Sequence, residues 1–95
     1  MQRILIVDDE YLARKYISDL VAEFWPCEKI VEQASHADEA LELLSKNKVD
    51  VLFLDIKMPK VNGFQLLEAL EDSADTKIIF VNAIDGIARI RRQTS

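Results

Sequence analysis

The chain has 95 residues, enough for one small domain and one core. It is 49 % hydrophobic and 31 % charged with only two Gly and two Pro, which excludes disordered, collagen-like and low-complexity classes. Seventeen acids against twelve Lys and Arg give a formal charge of -5, a sign that argues against the bulk of the chain lying on nucleic acid or anionic lipid. Cys27 stands alone, so neither an intrachain disulfide nor a Cys zinc cluster is available. The start, MQRILIVDDE, turns acidic too soon for a signal peptide, and the apolar runs of the strand-like segments are far short of a membrane span. The expectation is one cytoplasmic domain, residues 1–95, with no membrane partner.

Ile4-Leu5-Ile6-Val7 is a β-branched run bounded by Asp8, which suits a strand buried on both faces. From Glu10 to Phe24 the residues Leu12, Tyr16, Leu20 and Phe24, with Ala13, Ile17 and Val21, repeat at helical spacing. Asp9 is the expected N-cap, and Pro26 stops the chain beyond the helix. Ile30 to Ala34 reads as a second strand. Ser35 and Asp38 form a capping-box-like pair before a helix marked by Ala37, Ala40, Leu41 and Leu44. Val49 to Leu54 is a third strand with Asp55 at its carboxyl end. A loop from Lys57 to Asn62 leads to a helix with Phe64, Leu67 and Leu70 on one face, and Lys77 to Val81 is the fourth strand. Ile87 to Arg92 is expected as a weak helix start. Strands alternating with helices imply right-handed crossovers and a parallel sheet covered on both faces, an α/β fold.

Ligands of parallel α/β sheets collect beyond the carboxyl ends of the strands. Asp8 and Asp9 follow the first strand and Asp55 the third, so adjacency of those strands crowds three carboxylates into one pocket. Such crowding raises a pKa or recruits a cation, and Mg2+ is the hard ion that suits a few carboxylates. A carboxylate beside Mg2+ can act as nucleophile toward a phosphoryl group. The plainer reading is that acids after strands serve as helix N-caps, and Asp9 is placed to be one.

The opening Ile4-Leu5-Ile6-Val7-Asp8-Asp9-Glu10, followed by Asp55-Ile56-Lys57-Met58-Pro59 with Gly63, resembles the receiver domain of bacterial two-component response regulators, over Met1 to about Ala88. The ILIVDDE opening and the IIFV strand look most like receivers attached to a LytTR-type DNA-binding domain. The resemblance implies a doubly wound, flavodoxin-like parallel sheet. It also implies that Asp55 accepts phosphate from a sensor histidine kinase, that Asp9 ligates Mg2+, and that Asp8 assists through water. Lys57 would lend its backbone carbonyl to the metal, and Pro59 and Gly63 would shape the loop.

Two features depart from the family pattern. Receivers resemble one another in ending their fourth strand with Thr or Ser then Ala, whereas this chain has Asn82-Ala83. An Asn amide can donate to phosphate but lacks a rotating hydroxyl; alternatively, Asn82 caps the next turn. The family sheet has order 2-1-3-4-5 and a Lys-Pro after its fifth strand. This chain is expected to have order 2-1-3-4, lacking that strand, the Lys and the last helix. The strand at Lys77–Val81 then becomes an edge, and homodimerisation or a segment swap through it is the expected consequence.

His36 is expected to be a solvated first-turn residue, Cys27 a spectator thiol, and Phe24 and Trp25 closures of the core. Arg89, Arg91 and Arg92 make a basic tail, and nucleic acid is expected only through an output domain outside this chain. The leading functional expectation is Mg2+-dependent phosphorelay signalling, without turnover of external substrates. The alternative is an unphosphorylated module that dimerises or titrates a kinase. A Mg2+-dependent phosphatase is weaker, because Asp8-Asp9-Glu10 does not supply its Asp-x-Asp.

Overall fold

The computed structural model describes residues 1–55, 68, 75–84 and 87–92, and for 82–84 and 87–92 the backbone alone. The elements in chain order are β1 (Gln2–Val7), α1 (Tyr11–Phe24), β2 (Lys29–Ala34), α2 (Ala37–Lys46), β3 (Val51–Asp55), β4 (Lys77–Ile84) and β5 (Ile87–Arg92). They build one sheet of order β2-β1-β3-β4-β5. The first four strands in that order are mutually parallel, as expected from the sequence. The expected loop from Lys57 to Asn62 and the helix bearing Phe64, Leu67 and Leu70 lie outside the described residues.

The period-two alternation of β1 and β3 sorts their side chains into two cores. Ile4, Ile6, Val51 and Phe53 face α1, where Ile17, Val21 and Val81 complete a buried cluster. Leu5, Val7, Leu52 and Leu54 face α2 and meet Ala34, Ala37, Ala40 and Val49. Ile4, Leu5 and Ile6 are fully buried, and a side chain of this size contributes about 1.5–3 kcal/mol on burial. Trp25 closes the α1 side, its ring edge-on to Phe53 at 6.3 Å and its Nε1–H donating to Gln2 Oε1 at 2.7 Å.

The helical stripe of α1 divides in a way the periodicity does not reveal. Ile17 and Val21 are buried, but Leu12, Tyr16 and Phe24 are 74 %, 51 % and 70 % exposed. A helix laid on a flat sheet buries only a narrow arc, and the apolar residues of α1 span a wider one. Phe24 therefore does not close the core, although Trp25 does.

Both expected caps shift by one residue. Glu10, not Asp9, is the N-cap of α1, and it makes no side-chain capping bond; Asp8 Oδ1 instead accepts from the Glu10 N–H at 2.9 Å. His36, not Ser35, caps α2: its Nδ1 accepts from the Glu39 N–H, and Glu39 Oε1 accepts from the Ser35 N–H. The reciprocal box is thus completed by Glu39 instead of Asp38.

The largest correction concerns the end of the sheet. Ile87–Arg92 is a strand, not a helix start, and it pairs antiparallel with β4 from Ile79↔Arg92 to Ile84↔Ile87. A fifth strand is therefore present, although it runs opposite to the one the resemblance implied. The Lys77–Val81 strand is not an edge along Ile79–Val81, since β3 pairs that stretch on one side and β5 on the other. The reason is physical: β4 offers an open row of N–H and C=O groups, and satisfying them outweighs the feeble helical tendency of IARIRR. The sequence carries a signal for this, because only Asp85-Gly86 separates the paired residues Ile84 and Ile87, and an Asp-Gly pair between strands favours a tight hairpin.

Candidate metal and phosphoacceptor site

The site is assembled by strand register. β1 and β3 run parallel with Val7 opposite Leu54, so the next residues, Asp8 and Asp55, leave the sheet side by side. Parity places both one position beyond residues that face α2, hence toward the α1 side. Asp8, Asp9 and Asp55 each offer a carboxylate oxygen, and these oxygens lie within 4.8 Å of one another. Asp8 and Asp55 are buried whereas Asp9 is exposed, so the trio opens outward through Asp9.

Asp8 is held by its backbone and side chain together. Its N–H donates to the Ala34 carbonyl at 3.1 Å, its Oδ1 accepts from the Glu10 N–H, and its carbonyl accepts from Arg14 Nη1 at 2.7 Å. Burial pushes the Asp8 carboxyl up to about 6, against the opposing effect of the Glu10 N–H, and the neighbouring charges of Asp55, Asp9 and Glu10 push the same way. Bare, these three carboxylates repel one another at close range. An oxygen-only donor set with one open, solvent-facing side fits a small hard cation that keeps several waters. The residues present therefore fit Mg2+.

Asn82 follows Val81, the register partner of Asp55, so its backbone lies at the carboxyl edge beside the trio, paired with Arg89 of β5. Lys57, Pro59 and Gly63 lie outside the described residues. His36 sits at the start of α2 as an exposed cap, and Cys27 is an exposed free thiol. Arg14 was not singled out by the sequence, because a lone Arg inside an amphipathic helix carries no motif; only the fold brings it back onto Asp8.

A doubly wound α/β domain with three acids at the carboxyl ends of two adjacent central strands places a candidate cation site where this fold class binds its ligands. Within that class, the model of the response regulator receiver domain matches residues 4–93, and the chain belongs to this family. It is 40 % identical over 88 residues to an uncharacterized response regulatory protein of Vibrio cholerae, a match covering 93 % of this chain. The chain spans only 37 % of that relative's length. It resembles the structure of response regulator TrrA from Thermotoga maritima, solved in complex with Mg2+ and BeF, with 30 % identity and a TM-score of 0.72 over 90 % of this chain and 72 % of that one. It also resembles the structure of the CheA3 P1 domain in complex with CheY6 from R. sphaeroides, with 26 % identity and a TM-score of 0.72 over 87 % of this chain and 64 % of that one. No helix among the described residues is long and apolar enough to cross a membrane.

Proposed function

We propose that this receiver domain is a phosphoacceptor in a two-component relay. Asp55 takes a phosphoryl group from the phosphohistidine of a sensor histidine kinase, and Asp8, Asp9 and Asp55 hold Mg2+. The observation that carries this reading is the convergence of the three carboxylates at the carboxyl ends of β1 and β3. The complexes of the two solved neighbours, one with Mg2+ and BeF and one between CheA3 P1 and CheY6, support the choice of ion and of partner.

An Asp55 carboxylate oxygen attacks the phosphorus as the P–N bond to the imidazole breaks; the imidazole leaves with the bonding pair and takes a proton from solvent. Bound Mg2+ would supply neutralisation of the negative charge gathered on the transferred group. Asp8 and Asp9 hold the cation in place, and the open side at Asp9 admits the donor. The backbone carbonyl of Lys57 would add a ligand, and Asn82 would offer an amide donor where the family has Thr or Ser. Beyond receiving this group the chain turns over no external substrate. Nucleic acid would be reached through a further domain, of LytTR type, in the remainder of a protein as long as its relatives. Association of two copies by strand addition would need the outer edge of β5 or β2, since both sides of Ile79–Val81 are taken.

The test is treatment with acetyl phosphate and Mg2+, read by intact mass. Wild type gains one phosphoryl group, Asp55→Asn gains none, and chelation of Mg2+ abolishes the gain. An unmodified wild type with undiminished kinase binding would instead support the module that only dimerises or titrates its kinase.

A further inference from the structure

We infer that Arg14 is a positioning residue of the acid site, holding the Asp8–Asp9 peptide so that the three carboxylates converge. The inference rests on the metal-site reading above and extends it to a residue one turn inside α1. Arg14 Nη1 donates to the Asp8 carbonyl at 2.7 Å, across the first turn of the helix. Its guanidinium carbon lies 5.8 Å from the centroid of the Tyr11 ring, which gives the charged group a shelf. The Arg14 N–H meanwhile donates to the Glu10 carbonyl at 3.1 Å, so backbone and side chain of one residue clasp the Asp8-to-Glu10 segment from both ends.

The clasped carbonyl matters because of what lies on the far side of its peptide bond. Asp8 is buried and tied through its own N–H and carboxylate, whereas Asp9 is exposed and packing does not hold it. The peptide unit is planar, so fixing the Asp8 C=O fixes the direction in which the chain enters Asp9. Arg14 therefore sets the exposed acid against the two buried ones without touching a cation itself.

The charge of Arg14 makes the inference testable by sign. A guanidinium near a cation site repels the cation, so if Arg14 were only a neighbouring charge, its removal would tighten Mg2+ binding. If it positions Asp9, removal weakens binding despite the lost repulsion. Arg14→Met keeps a long stem and a good helix former while deleting both charge and donor. Calorimetric titration with MgCl2 is expected to show about a tenfold weaker affinity, the scale of losing a supporting bond behind a metal ligand. Arg14→Lys, which retains a charged donor, is expected to recover part of it. Amide hydrogen exchange of the metal-free variant is expected to speed up at Glu10 while Leu5 and Ile6 in β1 keep their protection. An affinity that is unchanged or tighter, or an unchanged Glu10 rate, would overturn the inference. Uniformly faster exchange would do so too, since it marks a general loss of stability. Should wild type bind no Mg2+, the site reading falls, and the Glu10 rate alone decides the role of Arg14.

Discussion

Burying Asp8 beside Asp9 and Asp55 links the stability of the metal-free protein to protons. Its carboxyl titrates near 6 in the fold and near 3.8 when the chain is unfolded. Between those values the folded state binds the extra proton, so stability rises as pH falls through 6 and the full burden of the charged acid is felt above it. Asp8→Asn removes the charge and keeps an oxygen to accept from the Glu10 N–H. Metal-free Asp8→Asn is therefore expected to be more stable than wild type at pH 7.5, by about 1 kcal/mol once solvent screening is allowed for. The difference should fall to about half at pH 5 and vanish only below about pH 3.8. Urea denaturation at both pH values in the presence of EDTA checks this, and a gap that widens on acidification would contradict it. Asp8, Asp9 and Asp55 were legible in the sequence because strand ends are fixed by local pattern and ligands gather there. The caps were not: whether Asp9 or Glu10, or Ser35 or His36, begins a helix depends on a fraction of a turn set by packing.

At the scale of the element, α1 and β5 show where one-dimensional pattern runs out. The spacing of Leu12, Tyr16, Leu20 and Phe24 identifies a helix correctly, yet periodicity cannot say which of two adjoining stripes meets the sheet. Ile17→Ala is expected to cost about 2–5 kcal/mol because it opens a cavity against Ile4, Ile6 and Phe53. Leu12→Ser should stay within about 0.5 kcal/mol, as befits a side chain already in water. Equal losses from the two variants in chemical denaturation would mean that the exposed stripe is covered in solution. β5 is illegible in the sequence for a different reason. IARIRR has neither clean alternation nor a helical stripe, and it forms a strand because β4 presents an edge. Ending the chain at Ile84 restores that edge over Ile79–Ile84. The shortened protein is expected to self-associate at micromolar concentration in size-exclusion chromatography while the full chain does so less. Identical elution of the two would show that β5 does not guard the edge.

At the scale of the molecule, metal, proton and fold form one linkage. A cation held by Asp8, Asp9 and Asp55 binds the folded chain and not the unfolded one, where Asp55 lies far along the chain from the adjacent pair Asp8 and Asp9. Mg2+ at ten times its dissociation constant should therefore add about 1.4 kcal/mol. For a domain of this length that corresponds to a rise of roughly 6–10 °C in Tm. The same Asp8 oxygen cannot hold a proton and a cation together, so the gain should fade as pH falls through 6, opposite in sign to the acid-driven stabilisation of the metal-free state. Thermal melts with and without MgCl2 at pH 7.5 and pH 5 resolve both trends at once. Asp9→Asn and Asp55→Asn should abolish most of the Mg2+ increment at pH 7.5, while leaving the α1 and α2 cores, which neither residue enters, intact. An increment equal at the two pH values, or one that survives in Asp55→Asn, would place the cation elsewhere and detach the acid trio from metal binding.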